Sequence, residues 1–137
     1  MNIYAEIEYW IEELQNDLHC FETEQKKEIV RNIFNQVESN GLLEYYYLED
    51  KKGLIVYCIT PDYIGNLTLQ ELFMYIKAPY RGSLKLFKEL INHVEQVAKQ
   101  RKCCTVRIGA NLNYKDEKIL KALKLLGYKT DVVVKHI

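Results

Sequence analysis

The chain reads as a mixed α/β domain, and three features of its hydrophobic pattern predict that class. Two N-terminal stretches carry apolar residues at helical spacing. Positions 42–78 then alternate and are rich in tyrosine, the signature of consecutive strands. The last of these runs, Leu69-Gln-Glu-Leu-Phe-Met-Tyr-Ile76, turns through Pro79, Tyr80, Arg81 and Gly82 into a long helical pattern with a further strand pattern behind it. A strand, a helix and a second strand in that order predict a right-handed parallel crossover, so the sheet is mixed. The strand-to-helix junction is also where an anion fits, because the first amides of a helix are unpaired and its dipole is positive there.

Ile3, Ile7, Trp10, Ile11, Leu14 and Leu18 predict the first helix, with an acidic outer face. Thr23 is the expected N-cap of the second, with Glu24 in its first turn. That helix is expected to bury Ile29, Val30, Ile33, Phe34 and Val37 and to stop at Asn40-Gly41. Strands are predicted over 42–48 and 54–59, joined by the polar turn Glu49-Asp-Lys-Lys-Gly53 as an antiparallel hairpin. A longer connection containing Pro61, Asp62 and Gly65 leads to the third and longest strand, 67–78. The long helix spans 83–102, with Phe87, Leu90, Ile91, Val94, Val97 and Ala98 inward. A fourth strand is predicted over 103–110. A last helix capped by Asn113 follows, with Ile119, Leu120, Leu123 and Leu126 inward and Gly127 at its end, and then a closing strand over 128–137 with Val132 and Val134 on one face.

The 137 residues make one domain large enough to bury a core. Lysine plus arginine and aspartate plus glutamate number 19 each, which leaves no electrostatic footprint for nucleic acid or an anionic membrane. Cys20, Cys58, Cys103 and Cys104 form no C-x-x-C pair, so no metal site is expected, and reduced thiols in a cytoplasmic protein are. The N-terminus begins with early acidic residues and no apolar run, and reads as neither signal peptide nor membrane span. His19, His93 and His136 lack ligand spacing and are expected at the surface, His93 on the polar face of the long helix.

The element order and the segment Ile76-Lys77-Ala78-Pro79-Tyr80-Arg81-Gly82 together resemble the GNAT superfamily of N-acetyltransferases, and the chain looks most similar to its short, divergent phage and bacterial members. The family's segment reads roughly V-x-P-x-Y-R-G, with Ala78 here at the proline position. The Gly-aromatic pair that closes the family's last helix is matched by Gly127-Tyr128. The resemblance implies acetyl-CoA as acyl donor. Pantetheine would bond main-chain groups near Ile76 and Ala78, and the pyrophosphate would lie on amides from Arg81, Gly82, Ser83, Leu84, Lys85 and Leu86. Asn111, after the fourth strand, stands where related enzymes place an asparagine against the cofactor. Arg81 matches the first position of the family's phosphate loop, Q/R-x-x-G-x-G/A, whereas Leu84 and Leu86 replace small residues. Lys85 offers a flexible compensating charge.

Glu71 lies near the family's general-base position. Continuous alternation puts it in phase with Phe73 and Tyr75, where it is either a base raised in pKa by burial or a solvated strand glutamate. The family's thiolate-protonating tyrosine would fall at Leu123; Tyr114 is the nearest substitute, or else a helix-start residue. Two functions follow. One is an acyl-CoA-dependent N-acyltransferase in which a primary amine of a small molecule or protein attacks the thioester directly. The other is an inactive GNAT-like binding module that has lost the phosphate-loop glycines. The family's first and last strands are not evident, so the substrate side is short or is completed by a second copy of the chain as a homodimer. The observation that separates the readings is whether the sheet parts near Ile76 and leaves the amides of 83–86 unobstructed.

Overall fold

Two helices lead the chain, α1 (Ile3–Leu18) and α2 (Glu24–Ser39), followed by β1 (Leu43–Tyr47), β2 (Gly53–Pro61), β3 (Leu67–Ile76), α3 (Leu84–Gln100), β4 (Thr105–Arg107) and α4 (Glu117–Leu125). The computed structural model describes residues 3–18, 23–39, 43–109, 117–129, 135 and 137. The strands form one sheet in the order β1-β2-β3-β4. The first two pairings are antiparallel, and β3 with β4 is parallel, so the predicted crossover through α3 is present.

Alternation along the strands divides the core in two. Leu54, Val56 and Tyr75 point to α1 and meet Trp10 and Leu14. Ile55, Tyr57, Leu69 and Met74 point the other way and meet Phe87, Leu90, Ile91, Val94 and Ala98 of α3 and Leu123 of α4. Leu90, Ile91 and Val94 are wholly buried, and each such side chain contributes about 1.5–3 kcal/mol by leaving water. The inward face predicted for the long helix is therefore observed, with Val97 half-buried beside it.

The second helix differs from expectation. Ile29 and Ile33 are 52% and 51% exposed, whereas Val30 and Phe34 join Leu43 and Tyr45 in packing against Ile7 and Ile11. α2 sits outside α1 at the β1 edge, so its buried stripe is narrower than its apolar stripe. Arg31 reinforces that seam by pairing with Glu8 of α1 and with Glu24 and Glu28 of its own helix. In α4, Leu120 turns outward and Ala122 takes an inward position. The side chain of Val37, the predicted stop at Asn40-Gly41, the Asn113 cap and most of the predicted closing strand lie outside the described residues.

One irregularity governs the site. The pairing runs Ile55 with Met74 and Val56 with Phe73, then Tyr57 with Glu71, which leaves Leu72 as an extra residue on β3. A bulge of this kind moves every residue beyond it to the opposite face.

Candidate functional site

β3 and β4 pair only at Thr68 with Thr105, Leu69 with Val106 and Gln70 with Arg107. β3 then continues to Ile76, and among the described residues the β3–β4 ladder ends at Gln70 and Arg107. Glu71 stands just past that end. Its Oε2 accepts the backbone N–H of Gly109 at 3.1 Å, so a side chain bridges the strands one step past the last backbone pair. The bulge at Leu72 corrects the expected phase: Glu71 shares the α3-side face with Leu69 and Met74 and not that of Phe73 and Tyr75. Burial pushes its carboxyl up to about 7, against the opposing pull of the Gly109 hydrogen bond. Its burial and the Gly109 hydrogen bond take the carboxylate out of a fully solvated position on the strand.

The end of β3, which has no β4 partner among the described residues, leads to the start of α3. A hollow of about 130 Å³ lies between them, lined by Met74, Ile76, Gly82, Leu84, Phe87 and Ile119 among others. A short 3₁₀ turn, Ala78–Tyr80, carries the chain across the end of the sheet. Ser83 caps α3, its Oγ accepting the Leu86 amide at 3.3 Å. Ser83 N–H donates to Tyr80 and Arg81 N–H to Ala78. The predicted set of anion-binding amides is thereby narrowed. Among the described residues, the amides of Gly82, Leu84 and Lys85 meet no protein acceptor. Gly82 has φ +94°, which a side chain rarely adopts, and the space where its Cβ would stand is open. These donors and this clearance fit the pyrophosphate of a coenzyme A thioester. Leu86 packs half-buried against the core, while Leu84, 51% exposed, stands at the rim. Of the two leucines that replace small residues, only Leu84 intrudes on the approach.

Arg81 also lines the hollow, but its guanidinium hydrogen-bonds to the end of β3 and to α1. Its Nε and Nη2 donate to the Ile76 carbonyl at 3.2 and 3.0 Å, and Nη2 also bonds the carboxylate of Asp17 near the end of α1. The guanidinium carbon lies 5.4 Å from the Tyr75 ring centroid, and the Tyr75 hydroxyl donates to the same Asp17 carboxylate. Desolvation first, and then Asp17, hold the Tyr75 hydroxyl well above its usual range. The carbonyls of Ile76 and Ala78, both in the segment expected to meet pantetheine, accept from Arg81 side chain and backbone respectively.

No family model matches the sequence, and no curated protein sequence matches it. Solved structures do match its architecture. A Pyrococcus furiosus protein assigned as an acetyl transferase superposes with a TM-score of 0.70 at 19% identity, covering 95% of this chain and 93% of its own. A Clostridium acetobutylicum protein, a predicted acetyltransferase solved with acetyl-CoA, gives 0.69 at 13% identity over 97% and 88%. A Bacillus halodurans transcriptional regulator gives 0.68 at 17% identity over 97% and 94%. The chain has the GNAT acetyltransferase fold.

Within that GNAT fold the other expected residues are distributed unevenly. Asn111 and Tyr114 lie outside the described residues. Leu123, where a tyrosine acid would fall, is a core residue. His93 is half-buried: it stacks on Tyr46 at 4.0 Å between ring centroids and meets the Tyr57 hydroxyl at 3.4 Å. Burial lowers its pKa, with Glu44 opposing. Among the described residues no cluster of histidine, cysteine, aspartate and glutamate suits a metal ion, and no helix is long and apolar enough to cross a membrane.

Sequence reasoning missed Asp17 and Gly109. Asp17 carried a signal, since an acid in the last turn of a helix opposes the dipole and calls for a cation partner. Gly109 carried none, because it acts through its backbone.

Proposed function

We propose that the chain is an acyl-CoA-dependent N-acyltransferase that moves an acetyl group from acetyl-CoA to a primary amine. The observation that carries the reading is the end of the β3–β4 ladder at Gln70 and Arg107, with Glu71 just past it and the amides of Gly82, Leu84 and Lys85 at the start of α3. The fold supports acyl transfer as the reaction class, and the acetyl-CoA in the Clostridium structure supports the donor. An acyl thioester supplies an electrophilic carbonyl carbon and a thiolate leaving group. The chain's own residues would do the rest. Glu71, accepting from Gly109 and half ionised near pH 7, takes the proton that the attacking amine must lose. The three amides and the α3 dipole hold the phosphates, with Lys118 also on the lining of the hollow. The apolar walls contributed by Met74, Phe87 and Ile119 exclude water from the thioester arm.

An inactive binding module is the less supported reading, because Leu86 packs against the core and, among the described residues, the β3–β4 ladder ends at Gln70 and Arg107. Thermal shift and calorimetry with acetyl-CoA, followed by thiol release in the presence of primary amines, test the proposal. Saturable binding and amine-dependent thiol release are expected. No shift and no heat at millimolar acetyl-CoA would refute it.

A further inference from the structure

Arg81 is the basic residue that sequence reasoning assigns to the phosphate loop, yet its side chain bonds Asp17 of α1. We propose that Arg81 is a positioning residue, tied to Asp17, that fixes the anion-binding amides and does not itself bind the anion. The binding arm of this inference rests on the coenzyme A reading above.

The partners of the guanidinium include Ile76, Asp17 and Tyr75. Nε and Nη2 converge on the Ile76 carbonyl, Nη2 reaches Asp17, and the plane approaches Tyr75. The Tyr75 hydroxyl donates to the same Asp17 Oδ2 that Arg81 bonds. Arginine's planar fork suits such a multidentate tie, and a lysine's point charge does not. The tie also spans the sheet's end: Asp17 belongs to the α1 layer, while Gly82 and Leu84, whose amides it would govern, line the α3-side hollow.

What the tie controls is the turn between β3 and α3. Lys77 N–H donates to Lys52, Tyr80 to Lys77 and Arg81 to Ala78, so the backbone is held up to Arg81. Gly82 follows at φ +94°, the Ser83 N–H after it is tied back to Tyr80, and the amides of Gly82, Leu84 and Lys85 meet no protein acceptor among the described residues. Glycine is the most freely rotating residue, so the direction of those amides depends on how firmly Arg81 is anchored immediately before it. A loop that spends only part of its time in the binding geometry loses affinity in proportion to that fraction.

The two roles predict opposite effects of neutralising Asp17. If Arg81 bound phosphate, Asp17 would compete for it, and Asp17→Asn would leave binding unchanged or tighten it. If Arg81 positions the loop, Asp17→Asn removes the anchor and weakens binding by a residue that touches no ligand.

The experiment compares wild type, Asp17→Asn, Arg81→Lys and the double variant. Calorimetry reads coenzyme A affinity, and amide hydrogen exchange is followed without ligand. Affinity is expected to fall about tenfold in each single variant, with the double variant no worse than the weaker single. Exchange at Tyr80, Arg81 and Ser83 is expected to accelerate about tenfold while Leu90 to Val94 in α3 stay protected. Unchanged exchange, or coenzyme A binding by Asp17→Asn as tight as wild type or tighter, overturns the proposal. If the wild type binds no coenzyme A, the coenzyme reading fails and the exchange measurement still decides the tie. If Asp17→Asn does not fold, Arg81→Lys gives both readouts, because it keeps the charge and loses the fork.

Discussion

Replacing Glu71 by glutamine separates its chemical role from its structural one. Glutamine keeps an oxygen for the Gly109 N–H and loses the titratable proton site. Burial raises the Glu71 carboxyl from 4.5 to about 7, which at 1.36 kcal/mol per pKa unit is a differential of up to about 3 kcal/mol. The sign follows from proton binding. Between pH 4.5 and 7 the folded state holds a proton that the unfolded state has released, so the native protein loses stability as pH rises through that window. The full contribution is present below 4.5 and gone above 7. Glu71→Gln lacks this loss, so urea unfolding should find the variant more stable than wild type at pH 8.5 by up to about 3 kcal/mol, with the advantage vanishing near pH 4. Activity should move oppositely. Wild-type kcat/KM should rise with pH to a plateau above an inflection near 7, and the variant should fall by about a hundredfold to ten-thousandfold and lose the inflection. A stability difference independent of pH, together with the same inflection in the variant, would refute the assignment.

Other residues of the site and loop give further tests. Gly109→Ala sets a Cβ 3.3 Å from the Glu71 Oε2; by loosening the hydrogen bond that lowers the Glu71 pKa, it should move the inflection of the pH-rate profile to higher pH. Gly82→Ala forces a side chain into φ +94° and should cost about 1–3 kcal/mol in chemical unfolding, with weakened acetyl-CoA binding in the same samples. Ser83→Ala removes the α3 cap and should cost about 1 kcal/mol, read as a lowered Tm. Leu84→Ala trims an exposed rim residue, so stability should stay within about 0.5 kcal/mol while acetyl-CoA binds several-fold more tightly in calorimetry.

Much of the architecture was legible because long periodic segments announce themselves. Phe87, Leu90, Ile91, Val94 and Ala98 repeat at helical spacing, and all are buried in α3. The β1–β2 hairpin and the parallel crossover followed from turn residues and connection lengths. Failures occurred where one residue breaks a period or where a neighbour decides exposure. Leu72 looks like any other strand residue, yet as the extra residue in the bulge it reverses the face of Glu71. Ile29 and Ile33 have core character, but nothing among the described residues covers the outer side of α2. His93 sits among polar residues in sequence and between two tyrosines in space. For the site, Gly82 and the helix start were readable from the strand-to-helix junction. The direction of Arg81 was not, because its partner Asp17 is 64 positions away.

The central claim is that the end of β3 and the start of α3 hold an acyl-CoA. An NMR titration of ¹⁵N-labelled protein with acetyl-CoA tests it at the atoms concerned. The amides of Gly82, Leu84 and Lys85 should shift and saturate together, with smaller changes at Met74 to Ile76 at the end of β3. Absence of any shift at millimolar acetyl-CoA, or saturating shifts confined to another face of the sheet, would contradict the account.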